Sequence, residues 1–69
     1  MPLTMANMGE TFTVGRITGK DEVRRHLAEL GFVVGSKITV VSEVSGAVIV
    51  QVKNSRVALD KSMANRIIV

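Results

Sequence analysis

A helix that stops at a glycine, followed at once by a strand, constrains the fold of this chain more than any other feature. Val23, Leu27 and Leu30 recur at i, i+4 and i+7, the spacing of one helix face. Gly31 follows where helices end in a left-handed residue, a conformation that glycine adopts at little cost. A Schellman stop at this glycine would fold Phe32 back onto Leu27. The stretch therefore predicts a helix whose apolar face is fixed to the start of a sheet.

Apolar alternation between turn residues predicts the strands. After a second turn at Gly35, the predicted strands are Lys37–Val44, Ala47–Lys53, Arg56–Leu59 and Arg66–Val69, separated by turns at Ser45-Gly46 and Asn54-Ser55. Asp60 is expected to cap one helical turn before the last strand. Ahead of the helix, Phe12, Val14 and Ile17 predict a first strand with a bulge at Gly15.

The ends of the chain and of the helix carry three further expectations. Leu3 and Met5 are two residues apart, which predicts one apolar face of an extended arm. Asp21 is expected to cap the helix. The apolar run Ile67–Val69 must pair with another segment, because a free apolar strand at a terminus would promote aggregation.

Length and composition favour one small, mainly β domain spanning residues 1–69. The predicted architecture is a partly open barrel of about five strands, with one helix inserted between strands 1 and 2 and a short helical turn before the last strand. The chain has no cysteine, which excludes disulfides and thiolate metal sites and fits a reducing cytoplasm. It shows no signal peptide and no apolar run of about 20 residues, so we expect any membrane link to run through a partner.

The pattern Leu27-x-x-Leu30-Gly31-Phe32-x-x-Gly35-x-x-Ile38-x-Val40 resembles the signature of the FeoA family, small cytosolic proteins of bacterial ferrous iron transport. It is also similar to the SH3-like domain of metal-dependent regulators of the diphtheria-toxin-repressor type. The similarity continues through the segments 46–52, 56–59 and 64–69. It implies an SH3-like barrel with the helix inserted between the first two strands.

The resemblance also implies a role. FeoA proteins are expected to bind the cytosolic part of the FeoB-type membrane transporter for ferrous iron, and to modulate or scaffold it. The alternative is an SH3-like regulatory or interaction domain related to the repressors. In the repressors such a domain normally follows a helical DNA-binding domain, and these 69 residues hold none.

The residue types argue against catalysis, cofactors and nucleic acid. The chain has no Cys or Tyr, one His, no serine–histidine–aspartate pattern and no phosphate-binding P-loop, so we expect a protein without enzymatic activity. The net charge is +3, but the basic residues are spread along the chain. Phe12 and Phe32 are the only aromatic residues and both fit the core, which leaves no stacking platform for single strands and no aromatic groove for Pro-rich peptides.

Glu22, His26 and Glu29 form the one metal hypothesis. Their spacing of i, i+4 and i+7 places them on one helix stripe, and carboxylate–imidazole sets suit ferrous or zinc ions. Arg24 and Arg25 oppose a cation there. The alternative, which we favour, is ordinary surface pairing of Glu22 with His26 and with Arg25. We therefore predict no metal site.

Apolar residues in excess of the core predict a protein-binding surface. Val33 and Val34 lie in the turn after the helix, and a domain of this size cannot bury every such residue. Arg25 and Glu29 on the outer helix side complete the predicted partner site. The outer sheet face around Val41 and Ile49 is a second candidate. Two alternatives remain open, namely that the arm with Leu3 and Met5 covers this surface, or that the chain forms a homo-oligomer.

Overall fold

Two antiparallel sheets supply the core of the computed structural model, which describes all 69 residues. The elements in chain order are a 3-10 turn Leu3–Met5, β1 Thr11–Thr13, β2 Arg16–Ile17, α1 Asp21–Glu29, β3 Lys37–Val44, β4 Ala47–Val52, β5 Ser55–Asp60, α2 Lys61–Ala64 and β6 Ile67–Ile68. One sheet has the order β1-β3-β4-β5 and the other pairs β2 with β6. None of the helices has the length and apolarity to cross a membrane.

The predicted first strand is two strands in two different sheets. The Val14 N–H donates to the Ser36 carbonyl at 2.9 Å, and the Gly15 N–H donates to the Ile68 carbonyl at 2.8 Å. The chain thus passes from one sheet to the other between these two residues. The prediction of a single strand with a bulge at Gly15 was therefore wrong. The total is six strands instead of about five, and the four-stranded sheet ends at β1 and β5 without closing into a full barrel.

The helix stop is a Schellman motif, as predicted. Gly31 has φ +106°, and its N–H donates to the Ala28 carbonyl at 3.0 Å. The Phe32 N–H donates to the Leu27 carbonyl at 2.9 Å. The other end differs from the prediction. Lys20 is the N-cap residue and no side chain caps the helix, while the cap predicted at 21 is already the first helical residue.

Two-residue turns set the register of the β3–β4–β5 meander. Ser45 and Gly46 have φ values of 49° and 80°, as a type I′ turn requires. The second turn is Lys53-Asn54, one residue earlier than predicted, because Val52 already pairs with Ser55. Lys53, the first residue of this turn, has a positive φ of 53°.

The core contains twelve buried residues, all of them apolar: Leu3, Val14, Leu27, Phe32, Ile38, Val40, Val48, Val50, Val52, Leu59, Ala64 and Ile67. The inward alternation of β3 and β4 is as predicted. Val23 and Leu30 pack against the core but are only partly buried. Helix α1 therefore enters the core mainly through Leu27 and the adjoining Phe32, so the helix stop is also part of the core.

The N-terminal segment is a 3-10 turn and not an extended arm. A 3-10 helix has three residues per turn, so residues two apart point in different directions. Leu3 is accordingly buried while Met5 is 70% exposed.

The last strand, β6, pairs with other segments, as its apolar sequence requires. Ile67 is fully buried and pairs with Ile17 of β2, and Ile68 also bridges to Pro2.

Candidate partner-binding site

The loop between α1 and β3 presents two valines to solvent from a fixed backbone. Val33 is 44% exposed and Val34 is 67% exposed. The Ser36 N–H donates to the Val33 carbonyl at 3.0 Å, and the Ser36 hydroxyl donates to the Gly31 carbonyl at 3.3 Å. The Gly35 N–H donates to the Val14 carbonyl at 2.8 Å. We call residues 33 and 34 the valine tip. Hydrogen bonds on both sides hold it, so it is apolar, exposed and anchored.

The outer stripe of α1 leads toward the valine tip. Arg25 and Glu29 are four residues apart, are both exposed, and take part in neither of the two ion pairs of the structure. Those ion pairs join Arg24 to Asp21 and Lys61 to Glu43. Glu29 is the last residue of α1 and Leu30 is its C-cap, so chain continuity brings the charged stripe to the loop that bears the valines.

The three residues of the metal hypothesis are not placed so that they could hold a metal ion together. Glu22, His26 and Glu29 are all exposed on α1, and no group of three His, Asp or Glu side chains is positioned to hold an ion. The outer two are seven residues apart, which is about 10.5 Å along a helix axis. The surface pairs of the favoured alternative do not form either, since the ion pairs of the structure are Arg24 with Asp21 and Lys61 with Glu43.

The N-terminal segment does not cover the apolar surface. Leu3 lies in the core next to α2, and Met5 is itself exposed, while both valines of the tip are exposed with the N-terminal segment in place. On the outer sheet face, Val41 and Ile49 are half-buried. The one large apolar residue of the strands that is exposed is Val44, at 57%. The valine tip is therefore the larger exposed apolar feature among the predicted candidates.

Asp60 is the one group whose titration is clearly perturbed. Its carboxylate accepts from the Ser62 hydroxyl at 2.7 Å and from the Met63 N–H at 2.9 Å. These two hydrogen bonds lower the pKa of Asp60 from its ordinary value. The predicted cap of α2 is thus confirmed, and it is a structural role outside the partner site.

Comparison with known proteins places this geometry in a family. The model of the FeoA domain matches residues 1–69. One relative is a protein from Methanocaldococcus jannaschii that carries the name Fe(2+) transport protein A. It is 32% identical to this chain over 68 residues, which cover 99% of this chain and 83% of that protein.

Solved structures with the same fold come from two groups. FeoA of Stenotrophomonas maltophilia, an SH3-domain protein solved in complex with zinc, has a TM-score of 0.85 and 30% identity, covering 99% of this chain and 87% of its own. A manganese-dependent transcriptional repressor has a TM-score of 0.87 and 27% identity, covering 97% of this chain but 39% of its own. The fold is therefore SH3-like, as the resemblance implied. By its family match and its curated relative, this chain belongs to the FeoA family.

Proposed function

We propose that this protein is a non-enzymatic cytoplasmic accessory factor of ferrous iron uptake. In this proposal it binds the cytosolic part of a FeoB-type membrane transporter and modulates or scaffolds that transporter. Family membership supports the pathway. The observation that carries the binding site is the valine tip, where two apolar side chains are exposed on a loop held by hydrogen bonds at both ends.

The tip has the physical properties of an interface anchor. Binding normally costs free energy because loops and side chains lose freedom, and a loop that is already fixed loses less. Val34 offers a β-branched apolar side chain that is two-thirds exposed. Arg25 and Glu29 on the neighbouring stripe would steer the encounter and select its orientation, since charges at an interface rim act mainly on association rate and specificity.

Measuring affinity for the purified cytosolic domain of the transporter tests this proposal. We expect Val34→Asp to weaken binding at least about tenfold, because a central apolar anchor is replaced by a charge that must be desolvated. Val44→Asp is the matched control, since it makes the same change at another exposed valine. A loss of affinity in Val44→Asp alone would move the partner surface to β3. Equal binding by all three proteins would refute the valine tip as the site.

A second candidate function rests on the repressor similarity. The matched part is only 39% of the manganese-dependent repressor, so the chain resembles one module of a larger regulator. Under this alternative the protein would serve as a regulatory or interaction module and would not bind the transporter. Pull-down from cells with and without the transporter distinguishes the two functions. Retention of the transporter on the wild-type protein, and its loss with Val34→Asp, would favour the accessory role.

A further inference from the structure

Strand β5 forms the far edge of the four-stranded sheet, and no strand pairs with its outer side. Its turn to β4 has two residues, so Val52 and Ser55 are the hydrogen-bonded pair that closes the hairpin. Such pairs alternate along an antiparallel ladder, so Val57 and Leu59 also bond to β4. The residues between them must point their backbone groups away from the sheet.

The outward-pointing residues of β5 are Arg56, Ala58 and Asp60. The backbone groups of Arg56 and Ala58 take part in none of the hydrogen bonds formed outside the helices and strands, and all three residues are exposed. Unpaired donors and acceptors in a row are a template for a further strand. This edge is also twice as long as the opposite one, since β5 has six residues and β1 has three.

We propose that the strand added at this edge is β5 of a second copy of the chain, antiparallel and centred on Ala58. A two-fold axis at Ala58 places Arg56 opposite Asp60 of the second copy, and Asp60 opposite its Arg56. The two four-stranded sheets then join into one continuous sheet. The turn at Lys53-Asn54 and the start of α2 at Lys61 limit the pairing to about five residues on each side, so the dimer is weak and depends on protein concentration.

The charges of the edge select this partner and this register. Arg56 donates through Nε to Gln51 at 3.1 Å, which leaves its terminal nitrogens available. Both hydrogen bonds to the Asp60 carboxylate end on Oδ1, which leaves Oδ2 available. Opposed Cβ atoms in an antiparallel pair are about 5 Å apart, within reach of an ion pair. Registers centred on Arg56 or on Asp60 would instead oppose like charges.

Reversing the charges one at a time and then together tests the pairing, with sedimentation from micromolar to millimolar concentration as the readout. Arg56→Asp and Asp60→Arg should each raise the dissociation constant at least about tenfold, because two attractive pairs become repulsive. An equimolar mixture of the two variants should dimerise again, since every opposed pair is then of opposite sign. Lys53→Asp, a charge reversal outside the paired segment, should leave the dimer unchanged.

Two further measurements keep folding and binding apart. Asp60→Arg also removes the cap of α2. Its circular dichroism spectrum is therefore compared with that of the wild type, and a matching spectrum shows that the variant is folded. Ala58→Pro removes only an outward N–H, a position where edge strands tolerate proline, and it should give a folded monomer. In the wild type, the amide signals of Arg56 and Ala58 should shift with concentration.

A chain that stays monomeric at millimolar concentration would overturn the proposal. So would a mixture of the charge variants that fails to dimerise, or concentration-dependent shifts confined to β1. If a monomeric chain lost transporter binding in Ala58→Pro, the edge would take a strand of the transporter instead, and self-pairing would be wrong. The valine tip is tested by a different variant, so failure of the dimer leaves the proposed function standing.

Discussion

The amide of Phe32 donates a 2.9 Å hydrogen bond to the carbonyl of Leu27, and both side chains are completely buried. The bond that ends α1 therefore also aligns the two largest side chains that the helix region gives to the core. Secondary structure and packing depend on the same few atoms here. A change at the helix stop should consequently act on global stability and not only on the local loop.

Replacing Gly31 by alanine should destabilise the fold by at least about 2 kcal/mol. Gly31 has φ +106°, and an added Cβ would lie 3.2 Å from Cγ2 of Val52. Gly35→Ala is the matched control, because Gly35 also has a positive φ, of +91°, but its Cβ would meet nothing within 4 Å. Urea unfolding of both variants separates the backbone cost from the contact with Val52. Equal losses in the two variants would mean that the contact contributes nothing.

Leu27→Ala should lower the free energy of unfolding by about 2–5 kcal/mol, because it leaves a cavity at a fully buried position. Arg25→Ala, on the exposed side of the same helix, should change it by no more than about 0.5 kcal/mol. The free energies come from urea melts, and transporter affinity is measured on the same proteins. If affinity fell only in Leu27→Ala, and in step with its unfolding, α1 would serve the fold alone and not the partner site.

Ferrous or zinc ions at micromolar concentration should produce no saturable change in the NMR signals of Glu22, His26 or Glu29. The three side chains lie along one exposed stripe of α1, and no other element supplies a ligand to them. Few ligands on an open surface give weak sites. A saturable micromolar response that disappears in His26→Ala would contradict this and would establish a metal site on the helix.

Stability should fall in acid through Asp60. The hydrogen bonds from Ser62 and Met63 lower the pKa of Asp60 in the folded state, so the unfolded chain takes up the proton first as the pH drops. The stabilisation is therefore complete above the ordinary value of 3.8 and is lost as the pH falls through the lower, folded value. Asp60→Asn keeps a good capping residue that does not titrate.

Thermal melts of the wild type and of Asp60→Asn between pH 7 and pH 2 measure this effect. The melting temperature of the wild type should fall more steeply in acid than that of the variant. The ion pair between Lys61 and Glu43 is present in both proteins and does not enter the comparison. Parallel curves would show that the capping carboxylate does not couple folding to pH.

Local chemistry predicted those parts of the fold that neighbours in the chain decide. The bounds of β3 follow from alternation, and the helix stop follows from a glycine before a phenylalanine. The split between β1 and β2 could not be predicted in this way. It depends on the hydrogen bond from Gly15 to Ile68, which lies more than fifty residues away in the sequence. The positive φ at Lys53 likewise follows from the pairing of β4 with β5, which imposes the turn on whatever residue occupies it.

The candidate sites show the same division. Exposure of Val33 and Val34 was predictable, since a small domain with a filled core has no room for two more valines next to a helix stop. The open edge at β5 was not, because strand order depends on the whole topology and no local pattern shows which strand lacks a neighbour. Arg56 and Asp60 are unremarkable surface charges until that order is known.

The backbone groups of Met1 and Val69 hydrogen-bond to each other in both directions, each at 2.8 Å. The two ends of the domain thus leave from one point on its surface. A segment joined to either end, or to both, is therefore attached at the same place on the domain. A domain built in this way can be attached to a larger protein without a long linker. Such an attachment is compatible with the repressor, in which this fold makes up 39% of the chain.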